Sequence, residues 1–259
     1  MPEAAAFAEY VIEFRQAGYV VPSKTPRSIL HEVSLGVTDG EVLAILGRSG
    51  SGKTSLVKLI NRILGFTSGD VLVGGTSVSE WNLIQLRRGI GYVIQEIGLF
   101  PHLTVRDNVC IVPELERWPL DRIHRRFLEV MALVGLNADE FGNRYPRQLS
   151  GGQRQRVGVA RALAADPRIL LMDEPFGALD PITRAELQQV FLDLSRRVRK
   201  TIVLVTHDLR EALLLGTRVV LLHAGRVVAS ASPEEFLKLQ QPEVREFVAA
   251  SELRLGHIP

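Results

Sequence analysis

The stretch that most limits what this chain can become is Gly47-Arg48-Ser49-Gly50-Ser51-Gly52-Lys53-Thr54, which follows the pattern GxxxxGK[ST]. The apolar run Val42 to Leu46 before it reads as a buried strand, and Ser55 to Leu64 after it reads as a helix. A strand, a glycine-rich turn and a helix in that order turn backbone N–H groups outward, with the positive end of the helix behind them. That is a cradle for phosphate oxygens. Lys53 can reach the β and γ phosphates of a bound nucleotide, and the Thr54 hydroxyl can hold Mg²⁺. Gly47, Arg48, Ser49, Gly50, Ser51, Gly52, Lys53, Thr54 and Ser55 are therefore the candidate contacts for ATP. An ordinary glycine-rich turn is the alternative, and it would need neither the lysine nor the flanking strand.

A second apolar strand, Ile169 to Met172, ends in Asp173 and Glu174. Residues at the carboxyl edge of a parallel sheet are delivered to bound ligands. Asp173 suits Mg²⁺ coordination through water, and Glu174 could polarise the attacking water if it lies near the γ phosphate and away from bulk solvent. Glu174 could instead be a capping or surface acid. The two motifs together also describe helicases, recombinases and many other phosphate-loop ATPases.

The expected fold is α/β: a phosphate-loop NTPase core with a mainly parallel sheet, an antiparallel β flank and an inserted helical subdomain. Thr201 to Val205 and Arg218 to Leu222 add nearly continuous apolar strands, as a sheet covered on both faces requires. Val11 to Val73 holds strand-like pieces broken by Pro22, Pro26 and Gly40, which read as the antiparallel flank. Ile123, Phe127, Val130 and Val134 recur at helical spacing before Gly135 ends the run. The resulting division is residues 1–94 with 166–230 as the ATP-binding core, 95–165 as the helical subdomain and 231–259 as a short tail. Two amphipathic pieces around Phe236 and Phe247 in that tail are too small for a core of their own.

Composition narrows the setting. No apolar run approaches the roughly 18 residues of a membrane span. Met1 to Tyr10 carries Glu3 and Glu9 and lacks a basic patch before an apolar block, so the expectation is a chain that stays in the cytoplasm. Cys110 is the sole cysteine, which excludes an internal disulfide and a cysteine metal cluster and suits a buried small hydrophobe. A formal net charge of +2 gives no reason to expect nucleic acid as a partner, and Arg122, Arg125 and Arg126 read as a solvated helix face.

Leu149-Ser150-Gly151-Gly152-Gln153 separates the candidates. Ser150 suits an N-cap, leaving glycine N–H groups to face an anion. Lying between the phosphate loop and the Asp-Glu strand, this string resembles the signature sequence of the ATP-binding-cassette (ABC) family. The resemblance implies that Ser150, Gly151, Gly152 and Gln153 of one copy close over the γ phosphate held by another, so that two ATP molecules are sandwiched in a head-to-tail homodimer. It also implies that Gln95 links nucleotide and metal to the permease, that Asp180 is the loop aspartate after Ala178-Leu179, and that His207 is the switch histidine at the γ phosphate. Each has a plainer reading: Gln95 as a polar strand end, His207 as an ordinary histidine, Asp180 as the N-cap of a helix begun by Pro181. Tyr19 stands at about the family's interval for the aromatic that stacks on adenine, with Pro22 to Arg27 lengthening the gap; core packing competes for it.

Ile60-Asn61-Arg62, Gly91 to Gln95, Ile97 to His102 and Phe176 to Arg184 resemble the ATPases of importers for quaternary-amine osmoprotectants such as glycine betaine or choline. Gly98 to Thr104 lies where ABC importers dock a permease helix. The resemblance implies membrane permease subunits, an extracytoplasmic substrate-binding protein, and a peripheral place on the cytoplasmic face of the inner (plasma) membrane. Glu96, where relatives often carry a second glutamine, and Ser230-Ala231-Ser232-Pro233 depart from the group. Many of its members continue into cystathionine-β-synthase-type modules; this sequence ends at Pro259, so ionic-strength sensing through such modules is not expected. The chain's aromatics, 6% of it, are scattered and offer no cage for a quaternary ammonium, so the cargo belongs to other subunits. An importer of amino acids or oxyanions and a permease-free ABC ATPase stay open as alternatives.

Overall fold

In the computed structural model, residues 10–22, 25–95, 98–177 and 179–253 are described; the expectations resting on Met1 to Glu9, Glu96, Ile97, Ala178 and Pro259 lie outside these residues. The chain runs β1 (Ile12–Val21), β2 (Arg27–Val37), β3 (Val42–Leu46), α1 (Lys53–Ile60), β4 (Ser68–Val73), β5 (Thr76–Ser77), α2 (Leu83–Arg88) and β6 (Ile90–Val93). The helices α3 (Val105–Leu115), α4 (Leu120–Leu133), α5 (Ala138–Phe141) and α6 (Gly151–Ala164) follow. Then come β7 (Ile169–Asp173), α7 (Pro181–Val198), β8 (Thr201–Thr206), α8 (Leu209–Leu215), β9 (Arg218–His223), β10 (Arg226–Ala231), α9 (Pro233–Phe236) and α10 (Pro242–Leu253).

A six-stranded sheet has the order β10-β9-β3-β8-β7-β6, parallel except where β10 turns back on β9. A smaller antiparallel sheet, β2-β1-β4-β5, is the expected flank. Because strand side chains alternate between faces, Leu43 and Ile45 of β3 join the core around α1, while Ala44 and Leu46 join the one around α8. Likewise Val203 and Val205 of β8 point toward α1, and Ile202 and Leu204 toward the core shared with α3, α4 and α6. Strands so placed have no polar face to spare, which explains their continuous apolar sequences.

Several local expectations are corrected. α1 ends at Ile60 rather than Leu64, because Arg62 takes a left-handed φ of 52° and the N–H groups of Ile63 and Leu64 both turn back to the Lys58 carbonyl, at 2.9 and 3.0 Å. Arg126 does not belong to a solvated face: its side chain is 14% exposed and donates to the carbonyls of Leu163 (2.7 Å) and Ala164 (3.2 Å), closing the end of α6. β10 continues through Ala231, and beyond it Phe236 (0% exposed) and Val244 (1%) fill the core beside α8. Cys110 is the expected buried hydrophobe, and burial pushes its thiol up to about 12.

The helical segment is seated against the parallel sheet by close backbone approach. A Cβ on Gly91 of β6 would stand 2.4 Å from the Ala162 carbonyl oxygen of α6 and 2.9 Å from a Leu170 methyl. Buried Asn108 of α3 organises the loop before it, donating to the carbonyls of Phe100, Leu103 and Thr104 and accepting from the Phe100 N–H at 2.8 Å. Gly91→Ala should therefore cost about 1–3 kcal/mol through forced displacement of α6, read as a lowered urea midpoint.

Candidate nucleotide site

The carboxyl ends of β3, β7 and β8 open on one cavity of about 830 Å³. Its walls include Arg48, Ser49, Gly50, Gly52, Lys53, Thr54 and Ser55 from the phosphate loop and α1, with Gln95, Glu174 and His207 facing them. Gly52, at φ 103°, stands where a Cβ would meet Leu30 at 2.8 Å, so glycine is required both for the turn and for the approach of β2. No side chain caps α1, which leaves its first-turn N–H groups directed at the cavity.

Lys53 is nearly buried, and its ammonium donates to the loop's own carbonyls, Gly47 at 2.7 Å and Arg48 at 3.1 Å. Burial holds its pKa below the usual 10.5, against the pull of Glu174 and Asp173. The Thr54 hydroxyl donates to Asp173 Oδ1 at 3.1 Å. Burial, reinforced by the Glu174 charge, raises the Asp173 carboxyl above its ordinary range despite that hydrogen bond, and Tyr92 beside it is raised as well, by burial and by Asp173.

Glu174 is the node of the site. Its Oε2 accepts from Gln95 Nε2 at 3.3 Å and lies 3.3 Å from His207 Nδ1, while its Oε1 lies 3.9 Å from Lys53 Nζ. It holds a left-handed φ of 46°, unusual for a glutamate, and its N–H is bonded to the Val205 carbonyl at 3.0 Å. This backbone turn lifts the side chain off the sheet edge and aims it across the phosphate loop.

Other sequence candidates lie elsewhere. Ser150 caps α6 in a reciprocal box, accepting from the Gln153 N–H at 3.2 Å while Gln153 Oε1 accepts from the Ser150 N–H at 2.9 Å. Gly152 is packed so tightly that a Cβ would meet Thr183, next to the start of α7, where Asp180 accepts from the N–H groups of Ile182 and Thr183 at 3.1 Å. Among the described residues the cavity wall includes none of Ser150 to Gln153, nor Asp180, nor Tyr19. Tyr19 pairs across strands with Leu30 and is half-buried against the core around α1.

Sequence reasoning passed over the rest of the wall: Arg27 and Ile29 of β2, and Phe247, Ala250 and Ser251 of α10. Glu246 of the same helix pairs with Arg48 of the loop at 2.8 Å. No local signal could have found these, because Arg27 and Ile29 reach the cavity through the packing of β2 and the others through the packing of α10.

Residues 30–177 match the family model described as ABC transporter. The chain belongs to the ABC transporter family. Among its relatives, the osmoprotectant import ATP-binding protein OsmV of Salmonella typhimurium is 48% identical over 85% of this chain and 57% of its own length. The glycine betaine/carnitine/choline transport ATP-binding protein OpuCA of Bacillus subtilis is 46% identical over 89% and 60%. For the glycine betaine uptake system ATP-binding protein YehX of Escherichia coli the figures are 48%, 86% and 73%. The chain thus spans less than two thirds of the length of the first two relatives. Among solved structures, the dimeric ABC cassette MJ0796 in a post-hydrolysis state bound to ADP and Pi superposes with a TM-score of 0.77 at 32% identity, covering 86% of this chain and 98% of that one. CbiO1 of Clostridium perfringens gives 0.80 at 28% identity over 96% and 98%. The fold is that of an ABC ATPase cassette.

The depressed pKa of Lys53 has a measurable sign. Folding disfavours its charge, so the unfolded chain binds more protons between the lowered folded value and 10.5, and stability gains from this residue as pH rises through that window. In Lys53→Met that gain should vanish, measured as the pH dependence of the urea midpoint against wild type.

Proposed function

We propose that this chain is the ATP-hydrolysing subunit of an importer for a quaternary-amine osmoprotectant such as glycine betaine or choline, with two copies working head to tail beneath a membrane permease. The observation that carries hydrolysis is Glu174, held between Gln95 and His207 and facing Lys53 across the phosphate loop. A carboxylate so placed can accept a proton from water attacking the γ phosphate, with His207 beside the same oxygen. Lys53 and the loop N–H groups stabilise charge building on the phosphate oxygens.

The oxygen donors of Thr54, Asp173 and Gln95 fit Mg²⁺. Among the described residues no cluster of three His, Cys, Asp or Glu could hold a metal by itself, which suits an ion that takes further ligands from phosphates and water. Bound there, Mg²⁺ would neutralise phosphate charge and the buried Asp173 carboxylate.

Separation of the signature from the cavity in one chain supports the paired reading: Ser150, Gly151, Gly152 and Gln153, with Asp180, would serve the nucleotide held by the other copy. The similar MJ0796 cassette, in its ADP- and Pi-bound state, is a dimer. In this reading residues 1–94 with 166–230 bind nucleotide, and 95–165 carries the motion to the permease. The loop braced by Asn108, with Phe100 42% exposed, offers a surface for a permease helix. OsmV, OpuCA and YehX are import, transport or uptake proteins for osmoprotectants, glycine betaine among them, which supports the cargo class. No helix among the described residues is long and apolar enough to cross a membrane, so the permease would supply the path and an extracytoplasmic binding protein the cargo recognition, with this chain on the cytoplasmic face of the inner membrane.

Two experiments test the reading. Glu174→Gln should lower ATP turnover by about 10²–10⁴-fold while nucleotide still binds; normal turnover would remove Glu174 as the base. Co-purified with its permease and binding protein in lipid, the wild type should hydrolyse ATP faster when glycine betaine or choline is present. Turnover indifferent to both would keep the ABC motor and discard the cargo.

A further inference from the structure

A second acid lies behind the site, and the chemistry above leaves it unused. Glu211, on the first turn of α8, is 6% exposed, and burial raises its pKa. One carboxylate oxygen accepts the hydroxyl of Thr206, the last residue of β8; the other accepts Gln188 Nε2 of α7 at 3.1 Å. The same Thr206 hydroxyl accepts the N–H of Asp208 at 3.0 Å. A single hydroxyl therefore ties the two neighbours of His207 to each other, and Glu211 holds that hydroxyl.

The other arm leads away from the cavity, toward the helix that Asp180 caps. Gln188 lies two turns into α7, the helix capped by Asp180. One turn before it, Arg184 adds a favourable charge to Glu211 and donates to the Leu179 carbonyl at 3.2 Å, in the loop leading to Asp180. Glu211 is thus the bridge between the strand end bearing His207 and the helix beginning at Asp180. Burying a carboxylate costs desolvation that its hydrogen bonds offset only in part, so the arrangement is poorly explained as a device for stability.

We propose that Glu211 is a positioning residue for His207, fixing the Thr206-His207-Asp208 turn and transmitting to it the placement of the Asp180 helix. This rests on the reading of the cavity as a site of ATP hydrolysis. Glu211 does not line the cavity; it acts through the histidine. The geometry also says which replacement will serve. A glutamine at this position keeps an oxygen for the Thr206 hydroxyl, and the Gln188 amide can turn to accept from its N–H₂; an alanine abolishes both arms.

The test compares Glu211→Ala, Glu211→Gln and His207→Ala, singly and combined, in the full chain. Turnover number, KM for ATP and urea midpoint are read for each, together with the imidazole NMR signal of His207. Expected are a fall in turnover of about tenfold or more for Glu211→Ala with KM little changed, recovery to within about threefold for Glu211→Gln, and no further loss when Glu211→Ala is added to His207→Ala. The His207 signal should move in Glu211→Ala and stay in Glu211→Gln. Losses that multiply in the double variant, or a His207 signal unmoved by Glu211→Ala, overturn the proposal. Should Glu211→Ala fail to fold, Gln188→Ala removes one arm alone; its loss of turnover must likewise disappear in the His207→Ala background, and a loss that persists there overturns the proposal. A wild type without ATP turnover overturns the hydrolysis reading and this proposal with it, whereas multiplying losses in an active enzyme overturn this proposal alone.

Discussion

The parallel register of β3, β8 and β7 is the constraint on which the site rests. Leu46 stands level with Thr206, and Asp173 with Val205, so the phosphate loop, His207 and Glu174 leave the sheet at one edge and one height. Parallel hydrogen bonds are formed between strands far apart in sequence, and the continuous apolar cover on both faces holds them in step. A slip of one residue would turn Leu43 and Ile45 away from α1 and move a side chain of the site by the length of a residue. Sheet and chemistry are therefore specified by the same side chains.

Parts of this arrangement are legible in the sequence where the backbone imposes a residue type. Gly52 is readable because its left-handed turn and close neighbours favour glycine, and Lys53, Asp173 and Glu174 because they stand at fixed offsets from buried strands. Ser150 announces a helix start as an N-cap residue, and the structure adds the reciprocal bond from Gln153. The main strands read correctly because burial on both faces leaves unbroken apolar runs.

What is not legible is set by distance along the chain. Tyr19 stands at the approximate interval of a base-stacking aromatic, but its place beside Leu30 comes from strand pairing, which no interval encodes. Phe247 and Glu246 carry no motif, and only the docking of α10 on the core beside α8 brings them to the loop. Arg126 looks like a solvent-facing charge until α6 supplies its carbonyls. Helix ends fall in the same class, since the left-handed turn at Arg62 depends on backbone hydrogen bonds rather than on a marked residue.

The left-handed backbone of Glu174 sets folding and function at odds. For a residue with a Cβ that conformation costs on the order of 1–2 kcal/mol, which glycine would escape and asparagine would reduce. The acid at the centre of the site is therefore a residue that its own backbone conformation disfavours. A library of variants sorted only for heat resistance would be drawn to this position and would enrich robust proteins without the carboxylate that faces Lys53. Engineering toward durability should hold this codon fixed and seek its gains elsewhere.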